Sequence, residues 1–216
     1  MRYDAVLFDN DGILTTPTRR PALTAAAQRA FQQVGVESPT DEQVEAILRP
    51  TVETLERVAR AVDVSPERLW TARERAATAA QRREIEAGRK RLYDDVSALG
   101  SIGLPRAIVS NNQQATIDTI VSHFGLDRFD PHYGREPTVA GIRRKKPTPY
   151  YLERAIEEIG ASNPLYVGDS QVDVVAADAL GVDSVFVRRP HRSGYDLDPT
   201  PTHVIEGLGD LETVLG

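Results

Sequence analysis

Apolar and polar positions divide the chain into two textures. Residues 5–8, Ala5-Val6-Leu7-Phe8, form a short unbroken apolar run of the kind that fills a strand buried on both faces. Residues 21–91 then carry helical periodicity with good start signals and no convincing strand. Pro21 suits the first turn of a helix running through Ala30 and Phe31 to Gly35. Thr40-Asp41-Glu42-Gln43 has capping-box spacing, and Ser65-Pro66-Glu67 opens a further helix. From residue 92 helix and strand alternate. Strands are predicted at 104–110, 165–167, 184–187 and 203–205, and helices at 113–124, 149–159 and 172–180. Residues 188–202, rich in Pro, Asp and Arg, read as a surface loop.

Repeated strand–helix units imply a parallel sheet with helices on both faces. The first strand belongs with the later units, so the helical stretch is an insertion. The expected fold is α/β: a Rossmann-like core of residues 1–16 and 92–216, with an all-helical cap of residues 17–91.

A chain of 216 residues can form such a core and cap without covalent staples. It has no cysteine, which excludes a disulfide scaffold, a thiolate metal cage and a cysteine nucleophile. Nothing approaches the roughly 18 to 20 continuous apolar residues of a membrane span, and no signal peptide is visible. A cytoplasmic protein is expected. The net charge of -6 argues against nucleic acid as a partner.

Open sheets hold ligands at the carboxyl ends of their strands; three polar motifs fall there and a fourth lies in a loop just before a helix. Asp9-Asn10-Asp11-Gly12 follows the first apolar run and supplies two carboxylates. One could attack an electrophile or ligate a metal while the other moves a proton. Ser110-Asn111-Asn112 ends a second strand and offers a hydroxyl and amides to an anion. Lys145-Lys146-Pro147-Thr148-Pro149 brings a cation, and Gly168-Asp169-Ser170-Gln171-Val172-Asp173 is a second acidic strand end. Clustered carboxylates repel unless a cation neutralises them. A hard divalent ion held by oxygens, magnesium above all, is the usual solution, and a phosphate fits between that ion, the lysine and the hydroxyl.

In this order and spacing the four motifs resemble those of the haloacid dehalogenase superfamily, in the branch with a helical cap inserted after the first motif. The resemblance covers essentially the entire chain and implies a magnesium-dependent phosphatase of the phosphoglycolate phosphatase type, acting on a small phosphorylated metabolite as a monomer or homodimer. It makes Asp9 the nucleophile and Asp11 the general acid and base. Ser110 and the amide of Asn111 would hold the phosphoryl oxygens, and Lys146 would offset charge on Asp9 and phosphate. Magnesium would be held by Asp9, the carbonyl of Asp11 and Asp169, with Asp173 close by. The Lys-Pro-x-Pro pattern selects Lys146, leaving Lys145 solvated. A phosphosugar mutase shares the same core, and a non-catalytic binding protein is the remaining class. A dehalogenase would lack an acid matching Asp11. A phosphonatase would need a cap lysine, for which Lys90, near the cap's closing edge, is the only candidate and an unsuitable one.

The segment 57–91 is dense in arginine with interleaved acids, including Glu67, Glu74, Glu84 and Glu86, and reads as a solvated helix face. The sharper alternative is that one of these arginines, or Arg49, reaches an anionic leaving group. Residues 13–17, Ile-Leu-Thr-Thr-Pro, depart from the Thr-Leu-Val-Asp-Ser common among relatives, which weakens transfer of any named substrate.

Overall fold

The computed structural model describes residues 2–192 and 194–216. Six parallel strands are ordered β3-β2-β1-β4-β5-β6. They are β1 (Ala5–Phe8), β2 (Arg106–Gln113), β3 (Phe129–Arg135), β4 (Pro164–Gly168), β5 (Asp183–Val187) and β6 (His203–Ile205). Successive side chains of a strand point to opposite faces. Val6, Phe8, Ile108 and Val167 accordingly enter one apolar cluster, while Ala5, Leu7, Val109 and Tyr166 enter another. Helices cover both, which is why β1 can be apolar throughout. On one side lies α5 (Gln114–Phe124); on the other lie α7 (Tyr150–Ile159) and α8 (Gln171–Asp178).

Between β1 and β2 the chain builds the helical cap: α1 (Arg20–Gln33), α2 (Asp41–Ala46), α3 (Val52–Ala61) and α4 (Pro66–Glu86). Two of the predicted starts, Thr40 and Ser65, are realised in side-chain hydrogen bonds, as is an unpredicted one at Thr51, whereas α1 has Pro21 in its first turn and no side-chain cap. Thr40 and Gln43 close a capping box, Thr51 accepts from the amide of Thr54, and Ser65 accepts from that of Arg68. These helices bury their own cluster, centred on Phe31, Ile47, Leu55, Leu69 and Trp70, joined by Ile142 of α6 (Val139–Arg144). The chain closes with a short helix, α9 (Leu211–Leu215).

Three features differ from the sequence expectation. β2 continues past residue 110 to Gln113, carried by pairing with β3 through Gln113 and Arg135. β3 and α6 have no counterpart among the predicted elements. The β3 sequence, Phe-Asp-Pro-His-Tyr-Gly-Arg, contains proline and glycine and lacks β-branched residues, which an edge strand tolerates. The loop after β5 is not wholly superficial. Arg189 is buried there, donating to the carbonyls of Gly12 and Ile13, both at 3.0 Å, and pairing with Asp95.

Residue Phe8 of β1 is in register with Ile108 of β2 and Val167 of β4, so the loops following all three strands open at one edge of the sheet. The cap leaves and returns at that same edge. Thr16 N donates to Arg91 O at 2.8 Å, Arg91 N to Thr16 Oγ1 at 3.2 Å, and Tyr93 N to Leu14 O at 3.0 Å.

Candidate active site

Asp9 is fixed at the end of β1 by its amide, which donates to Val167 O of β4 at 2.8 Å. Its carboxylate lies 3.0 Å from Lys146 Nζ. Lys146 is itself buried and donates to Val109 O (2.8 Å), Tyr166 Oη (2.6 Å) and Asp173 Oδ1 (2.7 Å). The backbone of Lys146 is held by the side chain of Asn111. Asn111 Nδ2 donates to Lys146 O at 2.9 Å, and Lys146 N donates back to Asn111 Oδ1 at 2.7 Å. Asn111 thus places the lysine through its side chain, a task separate from any its backbone amide performs.

Carboxylate oxygens of Asp9, Asp169 and Asp173 all lie within 4.8 Å of one another. Asp169 and Asp173 are almost fully buried. Asp173 is well supplied with donors: Lys146 on Oδ1, and the amide (3.0 Å) and hydroxyl (2.5 Å) of Ser170 on Oδ2. Burial pushes the Asp9 carboxyl up to about 7, with Asp173 and Asp169 adding to the rise and Lys146 opposing it. Asp169 is raised by burial and by Asp173. Burial works against the Lys146 charge, but Asp173 and Asp9 outweigh it and hold the ammonium well above its usual range. Lys146 meets Asp9 and Asp173, Arg192 meets Asp169, and the all-oxygen donor set of the three carboxylates suits a hard divalent cation.

Glycine is obligatory at two points of this mouth. At Gly12, φ is +91° and a Cβ would collide with the Asp169 carboxylate; at Gly168 it would collide with the Asp173 side chain.

Asp11 lies outside the three-carboxylate group, so a metal role for it rests on its backbone carbonyl. Its carboxylate is about one-third exposed and is gripped on all sides. Oδ1 accepts from Lys90 Nζ, from Asn10 Nδ2 (3.2 Å) and from Thr15 Oγ1 (3.3 Å); Oδ2 accepts from Asn112 Nδ2 (2.9 Å). Ser110 is buried near the end of β2, its Oγ accepting from Asn112 N at 3.2 Å.

Several cleft residues take roles that the sequence does not announce, Lys90 and Asn112 among them although both are named above. Lys90 follows the cap's last helix, yet its ammonium is sealed against Asp11 in the core. With Nζ enclosed by Asp11 and Thr16 O, it has no open path to a substrate carbonyl. Asn112 exchanges hydrogen bonds with Gln81 of α4 at 2.7 and 2.8 Å. His191 Nε2 and Arg192 Nε lie 2.8 and 3.2 Å from Asp169 Oδ2, on the loop after β5. The available signal for that pair was their position just beyond a strand's carboxyl end.

Two expectations are corrected. Lys145 is not solvated: it is half-buried, donating to Pro50 O of the cap at 2.7 Å. Burial pushes its ammonium down to about 8, with Arg135, Arg73 and Arg49 adding to the effect. The arginine-rich face is only partly solvated. Arg82 and Glu86 form an exposed pair at 2.9 Å, but Glu74 and Glu84 are buried, and Arg73 donates to Ile47 O and Leu48 O.

The family model for haloacid dehalogenase-like hydrolases matches residues 6–187. A phosphoglycolate phosphatase of Neisseria gonorrhoeae is 31% identical, over 85% of this chain and 79% of its own length. A 5'-nucleotidase of Pseudomonas aeruginosa is 27% identical over 100% of this chain and 96% of its own. In fold the chain is similar to CbbY of Rhodobacter sphaeroides, solved in complex with phosphate, at a TM-score of 0.72 and 19% identity, covering 97% of this chain and 96% of that one. A match spanning both acidic strand ends, on a sheet that brings them together beneath a helical cap, carries the assignment: the chain belongs to the haloacid dehalogenase-like hydrolases and is an enzyme of that family.

Proposed function

We propose that the protein is a magnesium-dependent phosphatase of small phosphorylated metabolites, working through an aspartyl-phosphate on Asp9 beneath a cap of residues 17–91. The reading is supported above all by the group Asp9, Asp169 and Asp173 with Lys146 wedged between Asp9 and Asp173. Magnesium, held by Asp9, Asp169 and the carbonyl of Asp11 with Asp173 beside it, would supply charge compensation for the phosphoryl oxygens. A carboxylate attacking a phosphate dianion meets like charge. Lys146, 3.0 Å from Asp9, reduces that repulsion.

Asp9 attacks phosphorus while Asp11 gives its proton to the departing alkoxide. In the second step Asp11 takes a proton from water, which attacks the phosphoryl-Asp9 bond and frees phosphate and the Asp9 carboxylate. Ser110 Oγ and the amide of Asn111 donate to the phosphoryl oxygens. The similarity to a phosphoglycolate phosphatase and a 5'-nucleotidase favours a phosphomonoester with a small leaving group.

The test is hydrolysis of an aryl phosphate with magnesium, with chelator, and by Asp9→Asn. Turnover is expected in the first arm alone, and equal rates in all three would overturn the mechanism. A panel of phosphorylated metabolites then ranks substrates, and an isomerised product in place of free phosphate would replace hydrolysis by a mutase reaction.

A further inference from the structure

We infer that Lys90 is a positioning residue for Asp11, and that through it the placement of the acid–base carboxylate depends on the seating of the cap. The inference rests on the phosphatase reading of Asp11. Lys90 has no exposed surface, and burying an ammonium without a partner is costly. Among the described residues Asp11 is its one carboxylate partner, with Thr16 O accepting a second bond at 2.9 Å. A buried charge that served stability alone would need no catalytic carboxylate at the mouth of the site.

The donors on Asp11 are unevenly shared. Oδ1 receives Lys90, Asn10 and Thr15, whereas Oδ2 receives Asn112 alone. Lys90 therefore fixes rotation about the Cβ–Cγ bond and leaves Oδ2 as the oxygen free to exchange a proton. From Oδ2 the proton passes to the leaving alkoxide as its bond to phosphorus breaks, and to Oδ2 the attacking water later returns one.

Both grips on Asp11 trace back to the cap. Asn112 is clasped by Gln81 of α4, and Gln81 accepts from Thr18 Oγ1 at 2.8 Å in the outgoing linker. Lys90 sits in the returning linker, next to Arg91, which pairs with Thr16. A displaced cap therefore shifts the donors to both oxygens of one carboxylate, while Asp9, anchored to β4 through its amide, stays in place.

The experiment compares Lys90→Met with the unsubstituted enzyme in rapid-mixing assays with magnesium. The substrates are an aryl phosphate, whose leaving group needs no proton, and an alkyl phosphate. With the aryl phosphate, Lys90→Met is expected to keep the wild-type rate of phosphoryl-Asp9 formation, then turn over slowly because water lacks its base. With the alkyl phosphate no burst is expected, and kcat falls on the order of 10²-fold with little change in KM. In an Asp11→Asn background Lys90→Met should add no further loss. Equal slowing of burst and steady state with both substrates, or losses that multiply in the double variant, would overturn the inference. Should the methionine variant fail to fold, Lys90→Gln takes its place in the same assays: because it keeps a donor, a smaller loss with the same substrate pattern is expected, and equal slowing of burst and steady state would overturn the inference. Absence of magnesium-dependent hydrolysis in the unsubstituted enzyme would instead overturn the phosphatase reading.

Discussion

Gly12 marks the tightest point of the mouth. Its left-handed backbone lets the Asp169 carboxylate pass where any side chain would stand, so the two acidic strand ends can meet. Gly12→Ala should push Asp169 away and weaken magnesium binding roughly 10- to 100-fold, read by calorimetric titration, with the far-ultraviolet circular dichroism unchanged. At this scale the sequence was legible where a residue sits on or beside its own strand end. Asp9, Ser110 and Asp169 are placed by backbone within a residue or two of a predicted strand, so a linear pattern suffices. Lys90, Lys145 and His191 reach their partners with side chains that cross between elements: 79 residues separate Lys90 from Asp11, and 95 separate Lys145 from Pro50. No local spacing encodes such a reach.

At the scale of elements, α4 is the instructive case. Its periodicity and its Ser65-Pro66 start were plain, but its acids serve two buried clusters as well as solvent. Glu84 joins the two ends of the cap by accepting from Arg19 at 2.7 Å and from Arg89 at 2.8 Å. Those hydrogen bonds pull its carboxyl down from the ordinary 4.5 to about 2. A depressed folded-state value means stability that is fully present above about 4.5 and lost as pH falls through about 2. Glu84→Gln should therefore lower the melting temperature by a few degrees at neutral pH and flatten its fall across that acidic window, measured by thermal scans over pH. β3 is the contrary case. Its strand character comes from pairing with β2 at the sheet edge, because Asp130, Pro131 and Gly134 offset the β propensity of Phe129 and Tyr133.

Across the whole molecule, cap and core are joined by a buried charge cluster. Arg135 of β3 grips Glu74 of α4 at 2.8 and 3.0 Å, Arg73 adds a bond at 2.7 Å, and both guanidiniums lie over the Trp70 ring at 4.7 and 5.0 Å. Removing one member leaves charge buried without a partner. Glu74→Ala should cost about 3–5 kcal/mol in urea unfolding, and the double change Glu74→Leu with Arg135→Met should cost less than that single one. An inserted cap was readable from the switch between helical and alternating texture. Its seating was not, because Glu74 looks in sequence like any surface acid flanked by arginines.

The longest helix belongs to both bodies. Trp70 and Leu69 near its start lie in the cap's cluster, while Ile85 at its end lies in the core's. At 21 residues α4 is roughly 30 Å long. It is therefore a lever arm whose pivot is built into the sheet's own packing. A tilt of about 10° at the Ile85 end sweeps the Pro66 end through roughly 5 Å, and draws Glu74 away from Arg135 of β3 as it does so.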